Sequence, residues 1–170
     1  MELRDFLRRV RQNHALEHAT LNVLEERYPR LRAGGRATAE GFYLIGELPD
    51  AETVRAAAEQ ALARMRCGES ALAIHPRCGT NLVATSFASG VLALALARSS
   101  GRGAPFWAQM PSALLGAMLG ALLAQPLGPW LQANVTTSAD VSDVQVADIQ
   151  AQMRGRWRLY FVRTVRSARL

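Results

Sequence analysis

The feature that most constrains this chain is a long central segment almost free of charge. Residues 79–97 contain no charged side chain, and residues 103–139 contain none either. A helix needs about 20 apolar residues to cross a bilayer, so the first stretch is near the minimum and the second exceeds it. The sequence predicts a transmembrane helical hairpin over residues 79–135. The alternative, a buried hairpin of a soluble protein, is less favoured because 170 residues could hardly cover two such helices.

Details within the hairpin agree with a bilayer. Trp107 and Trp130 are separated by a helical length of about 35 Å, which suits one interfacial tryptophan at each end. Gly116 and Gly120 form a face of small residues that permits close approach of helices in lipid. This face predicts a homo-oligomer or a membrane-protein partner. Three prolines are expected to shorten or kink the second span: Pro111, Pro126 and Pro129.

The charge of the chain points to an anionic partner. It has 20 arginines, no lysine and a formal net charge of +6, which suits phospholipid headgroups. Arginines interleaved with aromatic residues near Trp157 are also typical of RNA binding. Beside a membrane hairpin, contact with anionic lipid headgroups is the favoured interpretation, and a nucleic-acid partner is not expected. The two cysteines are expected to stay reduced.

The arginines also predict an orientation. Twelve precede the first span, six follow the second and two lie in the connecting turn. By the positive-inside rule this favours cytoplasmic termini, although the difference close to the spans is small. Nothing at the start resembles a cleavable secretory signal. The sequence thus predicts a multi-pass protein of the cell inner (plasma) membrane with both termini in the cytoplasm.

The segments on either side of the hairpin predict one soluble domain. Before the hairpin we expect a helix over residues 2–28, a turn over 30–36, a strand over 38–48, a helix capped by Asp50 and ending near Arg66, and a short strand over 71–75. After it, residues 144–153 are ambiguous between strand and helix, 154–156 form a turn, and 157–165 form the strongest strand.

These elements define an α+β fold. A small α/β layer, with the order helix-strand-helix-strand plus C-terminal strands, is interrupted by the two-helix transmembrane hairpin. Residues 1–78 and 136–170 are the two parts of the soluble domain, and residues 79–135 are the hairpin. The C-terminal strands are expected to pair with the earlier ones.

The stretch HALEH, residues 14–18, suggests a metal site on the first helix. His14 and His18 lie one turn apart on its apolar face, a spacing that suits zinc, and Glu17 could accept a proton from a zinc-bound water. The pattern is locally similar to the reversed motif of the inverzincin metalloproteases. Those enzymes add a downstream carboxylate ligand, and no acidic residue here is singled out for it. The alternative is a pair of buried histidines bonded to backbone or carboxylate groups.

A second cluster, His75-Pro-Arg-Cys78, could complete the site. Cys78 precedes the first span, where a helix N-terminus favours a thiolate. All three histidines of the chain belong to these two clusters. Four ligands (His14, His18, His75 and Cys78) would make a closed structural site, whereas three would leave a position for water. The alternative is that His75 ends a strand and that Thr80 or Asn81 caps a helix; Asp140 and Asp143 also suit caps or turns.

Four separated stretches occur in the order found in a known family: NHALEHATLNVL, GRATAEGFYLIGELPD, GESALAIHPRCGTN and TTSADVSD. Across most of its length the chain resembles these small bacterial membrane proteins, known only as domain of unknown function 6391. The resemblance supports the hairpin. It implies no activity, substrate or ligand.

Together the patterns predict an integral membrane protein with a zinc site at the membrane surface. The site would be structural, or hydrolytic towards a peptide or other amide, as in a metallopeptidase, so the sequence leaves open whether the protein is an enzyme. The alternative is a metal-free membrane scaffold or assembly factor.

Overall fold

The computed structural model describes residues 2–99, 101, 103–154 and 157–167, without the side chains of residues 153 and 154. The chain forms two compact units, one from residues 1–75 and 133–170 and the other from residues 76–132. In chain order the elements are α1 (Leu3–Arg27), β1 (Ala33–Ala37), β2 (Gly41–Gly46), α2 (Ala51–Arg66), a 3-10 turn (Ser70–Ala73), α3 (Gly79–Ser99), α4 (Phe106–Leu131), a π-helical turn (Gln132–Thr136), β3 (Val144–Arg154) and β4 (Trp157–Arg166).

The first unit is built on an antiparallel sheet with the strand order β1-β2-β4-β3. Phe42 of β2 lies opposite Val162 of β4, and Leu44 lies opposite Tyr160. The pairing of the C-terminal strands with an earlier strand is thus confirmed. The ambiguous segment at residues 144–153 is strand β3, which pairs with β4 along its length apart from one register shift at residues 146–148. The α+β class is confirmed.

The core of this unit lies between the sheet and the two helices α1 and α2. Phe42 and Leu44 are fully buried, whereas Tyr43 and Ile45 on the opposite face of the same strand are 38% and 42% exposed. Strand residues alternate between faces, so one face of the sheet packs against the helices and the other remains open. Leu16 of α1 is among the fully buried side chains on the helical side.

The boundaries of α2 follow its capping residues, as predicted. The Asp50 carboxylate accepts a hydrogen bond of 2.9 Å from the backbone amide of Thr53. That bond lowers the pKa of Asp50 below its ordinary value. At the other end, Gly68 has a φ of +99°, a left-handed conformation that glycine adopts without steric cost.

The predicted turn over residues 30–36 is wrong, because Ala33–Ala37 forms the edge strand β1. Gly34 and Gly35, interpreted as a turn, lie inside this strand opposite Ile45 and Leu44. Pairing with β2 outweighs the low strand propensity of glycine. The strand predicted over 38–48 is correspondingly shorter and begins at Gly41.

The predicted strand over residues 71–75 is also wrong. Ser70–Ala73 forms a 3-10 turn. Side chains of α1 bind carbonyls in this turn and at its end: Asn22 donates to those of Leu72 and Ile74 at 3.0 Å each, and His18 Nδ1 lies 2.8 Å from that of Ala73. These side-chain donors replace a strand neighbour. The turn predicted at 154–156 falls largely on residues 155 and 156, which are outside the described residues.

The second unit is a hairpin of two apolar helices. Gly79–Ser99 has a mean hydropathy of 1.6, and Phe106–Thr136 has 1.4. Both helices are long and apolar enough to cross a membrane, and only 6% and 17% of their most apolar windows are buried. The prolines do not shorten α4, which runs through Pro111, Pro126 and Pro129 as far as Leu131.

Glycines form the contact between these helices. Gly116, Gly120 and Gly128 are buried along one stripe of α4. A Cβ atom at Gly120 would lie 2.5 Å from the backbone oxygen of Ala88 in α3, and one at Gly116 would meet the backbone oxygen of Leu92. The close approach expected of this face therefore occurs within one chain. Its use by a partner or in a homo-oligomer stays a prediction.

Candidate metal centre

Helix α1 holds His14 and His18 side by side, one turn apart. Their ring centroids are 4.3 Å apart and the ring planes are inclined by 62°. Their ligand nitrogens lie within 4.8 Å of each other. His18 is 2% exposed, and His14 is half-buried. The spacing therefore brings two imidazoles together as the sequence predicts.

Backbone carbonyls determine which nitrogen of each neutral ring carries the proton. His18 Nδ1 lies 2.8 Å from the carbonyl oxygen of Ala73, and His14 Nδ1 lies 3.0 Å from that of Thr136. Because a carbonyl only accepts, each Nδ1 must carry a proton and donate it. In the neutral ring the lone pair then resides on Nε2. This is the arrangement in which histidines bind metal ions, with the far nitrogen held by a backbone or carboxylate acceptor.

His75 joins these two rings within the same unit. Its ring centroid is 5.8 Å from that of His18, and it is 2% exposed. Its Nε2 lies 3.1 Å from a carboxylate oxygen of Glu25, which is two turns further along α1 than His18. When the ring is neutral, Nε2–H donates to this carboxylate and the lone pair lies on Nδ1. All three histidines of the chain are thus neighbours.

The contacts that hold this cluster include two residues that the sequence interpretation gave no role. Asn22 fixes the 72–74 segment to α1, which positions His75 beside His18. Glu25 orients His75. A signal was present for Asn22, since a polar residue four positions after His18 on the same helical face indicates a buried hydrogen-bonding role.

Glu17 is buried against the sheet. It is 4% exposed, and its carboxylate lies over Gly35 of β1. A Cβ atom at Gly35 would stand 2.6 Å from Oε1 of Glu17 and 2.6 Å from the backbone oxygen of Tyr43. The glycine therefore makes room for the carboxylate. The role of Glu17 as a proton acceptor stays a prediction.

Cys78 belongs to the second unit, where it immediately precedes α3. The backbone amide of Thr80 donates to its Sγ at 3.4 Å. The sulfur of Cys78 therefore accepts a hydrogen bond from the first turn of α3. The side chain of Asn81 donates to the carbonyl of Pro76 at 2.8 Å and accepts from Gln132 at 2.7 Å. Membership of Cys78 in the ligand set stays a prediction.

The two aspartates after the hairpin serve the fold. Asp140 accepts hydrogen bonds from the amide and hydroxyl of Ser142, which makes a local turn. Asp143, which is 6% exposed, accepts from Arg8 at 2.7 Å and from Gln12 at 2.8 Å. Burial raises the pKa of Asp143, but the hydrogen bonds from Arg8 and Gln12, with the charge of Arg8, outweigh burial and lower it.

Comparison with known proteins identifies the family to which the chain belongs. The chain matches the family described as Domain of unknown function (DUF6391) over residues 9–149. The protein therefore belongs to this family, which confirms the resemblance noted in the sequence.

One relative is an uncharacterised protein of Picosynechococcus sp. (strain ATCC 27264 / PCC 7002 / PR-6), 44% identical over 93 residues. The match covers 49% of this chain and 45% of the relative, so the chain spans less than half the length of that protein. No solved structure matches the chain.

Proposed function

We propose that this protein is an integral membrane protein that binds a zinc ion through His14, His18 and His75. The observation that carries the proposal is the pair of Nδ1–carbonyl contacts on His14 and His18, at 3.0 and 2.8 Å. They place the lone pair of each neutral ring on Nε2. Zinc binds imidazole nitrogens at about 2.0–2.1 Å, and two rings one helical turn apart meet that need after small side-chain rotations.

We propose Cys78 as the fourth ligand. It follows His75 by three residues, so covalent geometry keeps its Cα within about 11 Å of that of His75. Its sulfur already accepts a backbone hydrogen bond at the start of α3. With four protein ligands the site would be closed.

A hydrolytic role follows if only three of these residues bind the ion. A fourth position would then hold water, whose pKa zinc lowers to about 7. Glu17, which is buried and lies between His14 and His18 in the sequence, is the proposed base. The reaction would be hydrolysis of a peptide or other amide bond.

The hairpin supports the membrane part of the proposal. Large apolar side chains on both helices are exposed, including Phe87 at 71% and Trp107 at 76%. A face this apolar requires lipid or protein cover. With the arginine distribution, it supports a multi-pass inner-membrane protein with cytoplasmic termini and the lipid bilayer as its main partner.

A metal-free scaffold or assembly factor is the competing proposal, and one observation favours it. Each histidine already has a hydrogen-bond acceptor on one nitrogen, from Ala73, Thr136 or Glu25. Buried imidazoles with such partners need no metal to be stable.

Metal analysis of the detergent-solubilised full chain separates the two proposals. We expect about one zinc per chain, lost in His18→Ala and in His14→Ala, with helical content unchanged by circular dichroism. His14→Ala is the safer variant because His14 is only half-buried. A wild-type protein that is folded, carries no metal and takes up none from added zinc would establish the scaffold.

Substitution of cobalt for zinc tests Cys78. A cobalt-loaded wild type should show a thiolate-to-metal absorption band that Cys78→Ser removes. Cys67→Ser is the matched control, since Cys67 is an exposed residue at the end of α2. A spectrum unchanged by Cys78→Ser would exclude the cysteine ligand.

Glu17→Gln then tests hydrolysis. The variant should retain zinc under either metal proposal. Turnover of a peptide substrate should disappear only if Glu17 is the base, and an active Glu17→Gln protein would remove the hydrolytic role.

A further inference from the structure

A separate cavity in the first unit lies away from the histidines. It has a volume of about 650 Å³ and forms where α1 ends and where the β2–α2 loop meets β4. It is lined by two segments and one strand residue: residues 27–31, residues 47–49 and Arg158. Its volume falls in the range of small-molecule sites, about 300–1,000 Å³.

Three arginines give this cavity a positive charge. Arg27 donates to the side chain of Gln60 at 2.6 Å. The side chains of Arg30 and Arg158 form no hydrogen bond or ion pair with any residue that the structure describes. Glu47, the one carboxylate in the lining, likewise forms no ion pair within the described part of the chain. Among the described residues, no carboxylate forms an ion pair with these three guanidinium groups.

The rest of the lining is apolar. Leu31 and Leu48, which are 6% and 4% exposed, form the floor, and Tyr28, which is 42% exposed, also lines the cavity. Pro29 and Pro49 restrict the backbone on either side. A ligand that fits must combine an anionic group with an apolar body.

We infer that this cavity binds a small phosphate-bearing ligand with an apolar portion. Guanidinium groups bind phosphate through paired charge-assisted hydrogen bonds, and Arg30 and Arg158 are available to do so. The apolar portion contacts Leu31, Leu48 and the ring of Tyr28. The phosphate belongs either to a soluble monoester or to the headgroup of a membrane lipid. The inference is independent of the metal centre.

Calorimetric titration of the detergent-solubilised full chain tests the site. Phenyl phosphate should bind more tightly than inorganic phosphate, because only phenyl phosphate contacts the apolar floor. Arg158→Ala and Arg30→Ala should each weaken phenyl phosphate binding about tenfold or more. Arg36→Ala is the matched control, since Arg36 is an exposed arginine of β1 outside the lining.

The two sources are distinguished by a soluble short-chain phosphatidate. If it displaces phenyl phosphate, the ligand is a lipid headgroup; if phenyl phosphate binds and the phosphatidate does not displace it, the ligand is a soluble monoester. Absence of phenyl phosphate binding at millimolar concentration would overturn the inference. An equal loss in Arg36→Ala would also do so, because binding would then reflect surface charge in general.

Discussion

His18 uses its two ring nitrogens differently, and this asymmetry is central at the residue scale. Nδ1 is committed to the carbonyl of Ala73, which fixes the orientation of the ring. This hydrogen bond is compatible with both proposals. It orients the ring as metal-binding histidines are oriented, and it also satisfies a buried polar group without any metal. The second nitrogen separates the two proposals, and metal analysis addresses it directly.

Gly35 gives a residue-scale prediction. Gly35→Ala should destabilise the protein by about 1–3 kcal/mol, because the new Cβ would clash with the Glu17 carboxylate and the Tyr43 backbone oxygen. Gly34→Ala is the control, since a Cβ there has no neighbour within 4 Å. Thermal unfolding in detergent measures both. Equal midpoints for the two variants would contradict the packing of Glu17 over β1.

Asp143 gives a pH prediction. Its pKa is lowered in the folded protein, so its ionised form stabilises the fold above about pH 4 and this stabilisation is lost as the pH falls through the folded-state pKa. Asp143→Asn should cost about 1.5–3 kcal/mol at pH 7, because two charge-assisted hydrogen bonds are weakened.

Unfolding curves between pH 7 and pH 3 check the sign. The difference between Asp143→Asn and wild type should shrink below about pH 4. Asp148→Asn is the control, since that side chain is 54% exposed and its nearest arginine nitrogen is 3.8 Å away. A difference that stays constant with pH would show that the carboxylate charge is unimportant.

Part of the histidine cluster follows from the sequence, and part does not. The four-residue spacing of His14 and His18 on an apolar stripe fixes their adjacency once α1 forms. The proximity of His75 depends on Asn22 binding the carbonyls of Leu72 and Ile74, a contact across 50 residues that no local pattern encodes. The partners of Asp143 are equally non-local, since Arg8 is 135 residues away.

At the scale of elements, helices were predicted more accurately than strands. The bounds of α1 and α2 follow from apolar periodicity, Pro29, Asp50 and Gly68, all of which are local signals. Strand β1, with the sequence AGGRA, carries no local strand signal and exists because β2 pairs with it. The 70–75 segment has the opposite character: its apolar residues suggest a strand, but α1 side chains bind its carbonyls.

The hairpin gives the prediction at this scale. Gly120→Ala should lower the thermal midpoint, because a Cβ there would stand 2.5 Å from the Ala88 backbone oxygen and push the helices apart, at a cost of about 1–3 kcal/mol. Gly90→Ala in α3 is the matched control, as a Cβ there meets nothing within 4 Å. If both variants melt alike, the glycine stripe does not set the helix contact.

At the scale of the whole molecule, labelling of a native cysteine tests the proposed orientation of the chain in the membrane. Cys67 is exposed at the end of α2, in the unit that carries both terminal segments. Under the proposed topology, and on a Cys78→Ser background, a membrane-impermeant maleimide should label Cys67 only after spheroplasts are permeabilised, because the membrane would exclude the reagent from the cytoplasmic side.

The control for this labelling is Ser99→Cys in a chain that lacks both native cysteines. Ser99 is exposed at the end of α3, before the turn between the two apolar helices. It should react in intact spheroplasts. The reverse pattern, with Cys67 labelled outside and Ser99→Cys protected, would invert the proposed topology.

The strand order β1-β2-β4-β3 has a consequence for biogenesis. Strand β4, which lies between β2 and β3, is translated after both apolar helices. The hairpin therefore leaves the ribosome while β2 still has an unpaired edge. A nascent chain stalled before residue 157 would expose that edge, a recognised cause of aggregation and a cue for quality-control proteases.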